Sequence, residues 1–103
     1  MSLHIEIDGK RIAEFCRKHR IRKLSVFGSV LREDFQADSD VDLLVTFEEG
    51  ATWGLFDLIR MQEELKGILG REVDLVEQES VERSENYIRR RHILQTEEPI
   101  YVA

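Results

Sequence analysis

The stretch that decides the fold is Leu24 to Phe47, LSVFGSVLREDFQADSDVDLLVTF. A short apolar run ends in Gly28-Ser29. After ten intervening residues come Asp40 and Asp42, and a second apolar run follows. Acids at positions i and i+2 of an extended chain share one face, about 7 Å apart. Charges embedded in an apolar strand are costly unless compensated. A divalent cation shared with phosphate groups is a compensation that two aspartates suit, because hard cations such as Mg²⁺ favour one or two carboxylates plus phosphate oxygens.

Working outward, the run Leu24–Phe27 predicts a strand, Gly28 a turn, and Ser29–Arg32 a short helix. A polar loop is expected over 34–39, and a second strand over Val41–Phe47. Val41, Leu43, Val45 and Phe47 share one face of that strand, and Asp42, Leu44 and Thr46 the other. Apolar residues on both faces predict a central strand covered by helices. Upstream, Leu3, Ile5 and Ile7 alternate as an extended lead-in. Asp8 is placed to cap a helix from Gly9 to His19 whose inner face carries Ile12, Phe15 and Cys16.

Downstream, Glu48–Gly54 reads as loop and Leu55–Leu69 as the clearest helix. Its apolar row is Leu55, Leu58, Ile59, Leu65, Ile68 and Leu69, and Gly70 is its stop. A third strand, Glu72–Val76, repeats the earlier pattern: Val73-Asp74-Leu75-Val76 echoes Val41-Asp42-Leu43-Leu44-Val45. A last helix over Ser84–Leu94 offers Tyr87, Ile88 and Leu94 to the core. Pro99 stops it, and Ile100–Val102 forms an edge segment. Strands alternating with helices define an α/β (α+β) domain with helices flanking the sheet.

The 103 residues suit one domain with one modest core, over 1–103. Acids outnumber Lys and Arg by 21 to 15, and this net charge of −6 argues against a general nucleic-acid coat. Two basic clusters, Arg17/Lys18/Arg20/Arg22/Lys23 and Arg89/Arg90/Arg91, read first as solvated helix faces. The single cysteine, Cys16, excludes an internal disulfide and reads as a small core residue. His4, His19 and His92 share no metal-ligand spacing with acids or Cys16, so no zinc site is expected. No signal segment or membrane-length apolar run is evident, and a cytoplasmic location is expected.

Gly28-Ser29 has two readings. A glycine at a strand-to-helix turn lets backbone approach a phosphate, and the amides opening a helix point at the anion. A Gly-Ser turn is also an ordinary structural device. Asp40 can cap a turn with Ser39, whereas Asp42 lies inside the strand. Asp74 converges on Asp42 if the two strands are neighbours, and three such acids repel unless cations sit between them. Arg32 can reach a triphosphate or pair with Glu33 or Asp34. Trp53 reads as a core or interface anchor before a base-stacking platform.

The spaced pattern of Gly28-Ser29 and Asp40-Val41-Asp42, with FGSVLRED before the acids, SDVDLLV around them and REVDLV at the third, resembles the polymerase-beta-like nucleotidyltransferase superfamily. The short length is similar to its minimal nucleotidyltransferase (MNT) branch. The resemblance runs from the first helix to the end of the chain. It implies a mixed sheet flanked by helices, the nucleotidyltransferase fold. It also implies transfer of a nucleoside monophosphate, AMP from ATP, with two Mg²⁺ ions. Gly28 and Ser29 then take the phosphate-binding role, and Asp40, Asp42 and Asp74 the catalytic and metal-ligand roles. Such minimal proteins resemble antitoxins whose partner is a helical HEPN ribonuclease toxin, with a toxin tyrosine as acceptor. Two other readings stand beside it: a non-catalytic module that neutralises its partner by covering it, and transfer to a small molecule or an RNA end. Self-association is compatible with each.

Overall fold

The computed structural model describes residues 7–28, 40–83 and 85–103. The expected lead-in at Leu3 and Ile5, the expected helix over Ser29–Arg32, the loop over 34–39 and the side chain of Tyr87 lie outside the described residues. The described elements run in the order α1 (Gly9–Lys18), β1 (Ile21–Phe27), β2 (Val41–Phe47), α2 (Leu55–Leu69), β3 (Val73–Glu77), α3 (Gln78–Glu82), α4 (Tyr87–Thr96) and β4 (Glu98–Val102).

Local signals set the helix ends. The Asp8 carboxylate accepts from the Arg11 amide at 3.2 Å and starts α1, as its position foretold. Ile12, Phe15 and Cys16 form the buried face of α1. Gly70 ends α2 in the left-handed region, φ 70°, with its N–H donating to the Lys66 carbonyl at 2.8 Å. At the other end of α2, Asp57 Oδ2 accepts from the Gly54 N–H at 2.9 Å.

The strands form one mixed sheet in the order β3-β2-β1-β4. β1 pairs antiparallel with both β2 and β4, while β2 and β3 are parallel, joined by the α2 crossover. β2 is therefore interior, as its two apolar faces require. On one face, Val41, Leu43 and Val45 pack with Leu24 and Val26 of β1, Ile12, Phe15 and Cys16 of α1, and Met61 and Leu65 of α2. On the other, Leu44 and Phe27 pack with Val81 of α3 and Ile93 of α4. Met61 and Leu65 are fully buried, so truncating either to alanine costs about 2–5 kcal/mol.

Four expectations needed correction. β1 begins at Ile21 rather than Leu24; a bulge between Ile21 and Lys23 shifts the register and obscures the alternation. Helix α3 was not expected, because its five residues carry one apolar contact, Val81. In α2 the buried residues are Met61 and Leu65, while Leu55 is 71% and Ile59 44% exposed. The helix meets the core from Leu58 onward, so its first turn stands clear of it. In α4, Ile93 is buried and Leu94 packs beside it, but Ile88 is 80% exposed. Five residues along a helix is a rotation of about 140° from one full turn, so burying Ile93 turns Ile88 outward.

Candidate active site

Three of the expected site residues meet at one end of the sheet. Gly28 closes β1, Asp42 is the second residue of β2, and Asp74 is the second residue of β3. Asp42 lies opposite Phe27 in the antiparallel ladder and beside Asp74 in the parallel one. Register partners project to the same face, so both carboxylates belong to the face that carries Phe27 and Leu44. Asp40 stands just ahead of β2 and is exposed, as is Asp74; Asp42 is half-buried. Ser29 and Arg32 lie outside the described residues.

Gly28 is bound to Asp42 by a steric argument. Its φ is +73°, a conformation L side chains rarely adopt, and a Cβ added there would stand 2.6 Å from Asp42 Oδ2. The carboxylate thus occupies the space that a side chain at position 28 would need. Glycine suits the backbone at this φ, and any side chain here would force the Asp42 carboxylate to move.

Asp40 is not drawn into a compact trio. Among the described residues, no group of three or more His, Cys, Asp or Glu side chains is gathered closely enough to hold a metal ion. Mutual repulsion between bare carboxylates opposes such a gathering. The donor set fits a different arrangement. Asp42 and Asp74 offer hard oxygen donors on neighbouring strands, and Mg²⁺ commonly takes one or two carboxylates while substrate phosphates and waters complete its shell.

The surroundings of the acids are anchored by side-chain bonds that sequence patterns do not reveal. Thr46 Oγ1 donates to Gln78 Oε1 at 2.8 Å, linking β2 to α3. Gln62 of α2 accepts from the Leu75 N–H at 2.8 Å, next to Asp74. A glutamine on a helix reads as solvated, so nothing in the sequence singled it out. Lys66 reaches Glu72 just ahead of β3 at 2.6 Å, and that hydrogen bond raises the lysine pKa.

Other residues singled out by sequence are tied into the scaffold. The first basic cluster is not one helix face: Arg17 and Lys18 end α1, Arg20 lies in the turn after it, and Arg22 and Lys23 belong to β1. Lys18 pairs with Glu64, Arg20 with Glu48, and Lys23 with the largely buried Glu97. Cys16 is buried, and desolvation pushes its thiol up to about 12, against a smaller pull from Arg17. Trp53 packs against the first core beside Phe47 and His19, which supports its reading as a core anchor. No helix of the described residues is long and apolar enough to cross a membrane.

A sheet with this strand order, carrying aspartates on neighbouring strands beside a glycine turn, defines a nucleotidyltransferase-type fold. The chain belongs to the nucleotidyltransferase domain family, whose model matches residues 10–96. It is similar to the protein adenylyltransferase MntA of Thermococcus cleftensis, with 41% identity over 68 residues, 66% of this chain and 67% of that one. It is also similar to MJ0435 of Methanocaldococcus jannaschii, described as a candidate protein adenylyltransferase, with 39% identity over 72 residues, 70% of this chain and 75% of that one.

Among solved structures, one described as a candidate minimal nucleotidyltransferase superposes with a TM-score of 0.67 at 36% identity, covering 88% of this chain and 87% of that one. Two more distant structures share the fold at 18% identity. One is a toxin–antitoxin with AMP-PNP, TM-score 0.70, covering 94% of this chain and 75% of that one. The other is a tri-AMPylated HEPN toxin of Shewanella oneidensis in complex with its MNT antitoxin, TM-score 0.61, covering 92% and 70%.

Proposed function

We propose that this chain is a minimal nucleotidyltransferase that moves AMP from ATP to a tyrosine hydroxyl of a HEPN-family toxin, and so acts as its antitoxin. The observation that carries the reading is the placement of Asp42, packed over Gly28 on one side and beside Asp74 on the other. The similarity to protein adenylyltransferases supports the type of reaction. The distant AMP-PNP complex and AMPylated-toxin complex support the donor and the class of acceptor.

In this reading the acceptor hydroxyl attacks the α-phosphorus of ATP. A new O–P bond forms, the α–β bridging P–O bond breaks, and pyrophosphate leaves with the electron pair. Gly28 lets the Asp42 carboxylate sit against the turn that faces the triphosphate, and the Ser29 amide and hydroxyl are assigned to donate to the phosphate oxygens. Asp42 and Asp74 would hold Mg²⁺ together with the phosphates, with Asp40 assigned as a further ligand once the cation offsets the repulsion among the acids; when bound, the ion supplies charge compensation for the phosphates and for the carboxylates themselves. Asp74 is exposed on the edge strand beside Asp42, and is assigned to receive the hydroxyl proton. Arg32 is assigned to the triphosphate. The partner toxin supplies the acceptor hydroxyl, in line with the distant AMPylated-toxin complex.

The test is intact-mass analysis of a co-encoded helical partner after incubation with this chain, ATP and Mg²⁺. A mass gain of one or more AMP units on tyrosine is expected. An unmodified partner under conditions where the two proteins bind would reject the transferase reading in favour of neutralisation by covering.

A further inference from the structure

Asp74 lies on an edge strand, and its side chain is exposed. An edge strand has one ladder neighbour, so every second backbone group points away from the sheet. The Val41 N–H donates to the Glu72 carbonyl at 2.9 Å, which turns the backbone of residue 72 toward β2. Continued in steps of two, this pattern turns Asp74 toward β2 and Leu75 toward the open edge. The outward Leu75 N–H is met by Gln62 Oε1 of α2 at 2.8 Å, in a part-buried bond. The peptide group that joins Asp74 to Leu75 is therefore gripped at both ends, by β2 through its carbonyl and by Gln62 through its N–H.

The direction of the grip matters. α2 packs with Leu75 on the face of Leu43, while Asp74 shares the face of Asp42. Gln62 thus reaches around the sheet edge from the side away from the carboxylates. It steadies the strand without occupying space that a nucleotide or acceptor needs.

We infer that Gln62 is a positioning residue for Asp74: its side-chain oxygen fixes the edge peptide and thereby aims the Asp74 carboxylate at the site shared with Asp42. This rests on the reading of Asp74 as a metal-binding carboxylate. The feature that counts is an acceptor at the end of a side chain of this length. Gln62→Glu keeps it. Gln62→Met keeps the length and removes it, and Gln62→Ala removes both. In either case water can satisfy the edge N–H, so the fold survives while the aim is lost. Misplacement of a reacting group by about 1 Å costs on the order of 10²-fold in rate.

The experiment uses the full chain and its helical partner, with three readouts. These are AMP transfer rate at saturating ATP, Mn²⁺ affinity by electron paramagnetic resonance with a non-hydrolysable ATP analogue present, and exchange of the Leu75 amide by NMR. Gln62→Met is expected to speed Leu75 exchange, lower kcat at least tenfold with a smaller change in KM for ATP, and weaken Mn²⁺ binding severalfold. Gln62→Glu should restore all three to within about threefold of wild type. Should the methionine variant be too unstable to measure, the alanine variant is expected to show the same losses.

Wild-type kcat and Mn²⁺ affinity in Gln62→Met, or a glutamate variant as impaired as the methionine one, would overturn the inference. Asp42→Asn is run in parallel. If it is inactive while Gln62→Met is fully active, only the positioning role falls. If Asp42→Asn retains transfer, the reading of the carboxylates falls and the positioning role with it.

Discussion

Replacing Gly28 by alanine tests the steric bond between the glycine turn and the acid. Two costs arise, and they separate. The backbone cost comes from φ +73°, where an L residue loses roughly 1–2 kcal/mol. For a chain near this size each kcal/mol lowers the melting temperature by about 4–8 °C. The second cost falls on geometry. The new Cβ would stand 2.6 Å from Asp42 Oδ2, while ordinary contact begins near 3.4 Å, so the carboxylate must retreat by about 0.8 Å or rotate away.

A displacement of that size at a reacting group lowers the rate by up to about 10²-fold. Gly50→Ala is the matched control: its φ is +85°, and nothing lies within 4 Å of an added Cβ. Both variants should melt several degrees below wild type. Only Gly28→Ala should also lose AMP transfer to the partner, measured with radiolabelled ATP at a temperature where both variants are folded. Equal transfer by the two variants would refute the argument that Asp42 needs the space over Gly28.

Two further predictions concern the scaffold. Burial acts to raise the Glu64 pKa, but hydrogen bonds from His19 and Lys18 outweigh it and hold the group below its usual 4.5. The folded state thus favours the carboxylate, so the stabilisation is present above pH 4.5 and is lost as pH falls through the lowered folded value. Because Glu64 is partly exposed, Glu64→Gln should cost no more than about 1 kcal/mol near neutral pH. Urea unfolding should find the gap between wild type and variant closing in acid. Cys16, fully buried with its thiol at about 12, should resist iodoacetamide at pH 8 and react only as fast as the chain opens, so a labelling rate that matches a free thiol would contradict its burial.

Much of this fold was legible because periodicity and caps acted together. Val41–Phe47 and Leu55–Leu69 emerged with the bounds the sequence predicted, since each carries a clean apolar pattern between polar loops. Asp8 and Gly70 marked the ends of α1 and α2 through local hydrogen bonding that needs no tertiary information. What escaped was set by long-range packing. Strand order cannot be read from apolar runs, yet it alone puts Asp74 beside Asp42. The choice of Ile93 over Ile88 depends on which side of α4 meets Leu44 and Phe27. The spaced pattern joined Gly28 to Asp42 without showing their close approach, and the bond from Leu75 to Gln62, 13 positions away, leaves no trace in the sequence.

The central claim is that the carboxylate at Asp42 serves chemistry, not merely shape. The most direct measurement compares wild type with Asp42→Asn, a change that preserves size while removing the charge. AMP incorporation into the partner and neutralisation of the partner's toxicity are followed on the same two proteins, with binding confirmed for both. The account predicts that the variant folds and binds its partner, incorporates no AMP, and leaves the partner toxic. A variant that transfers AMP at the wild-type rate, or that neutralises fully with no AMP incorporated, would contradict it.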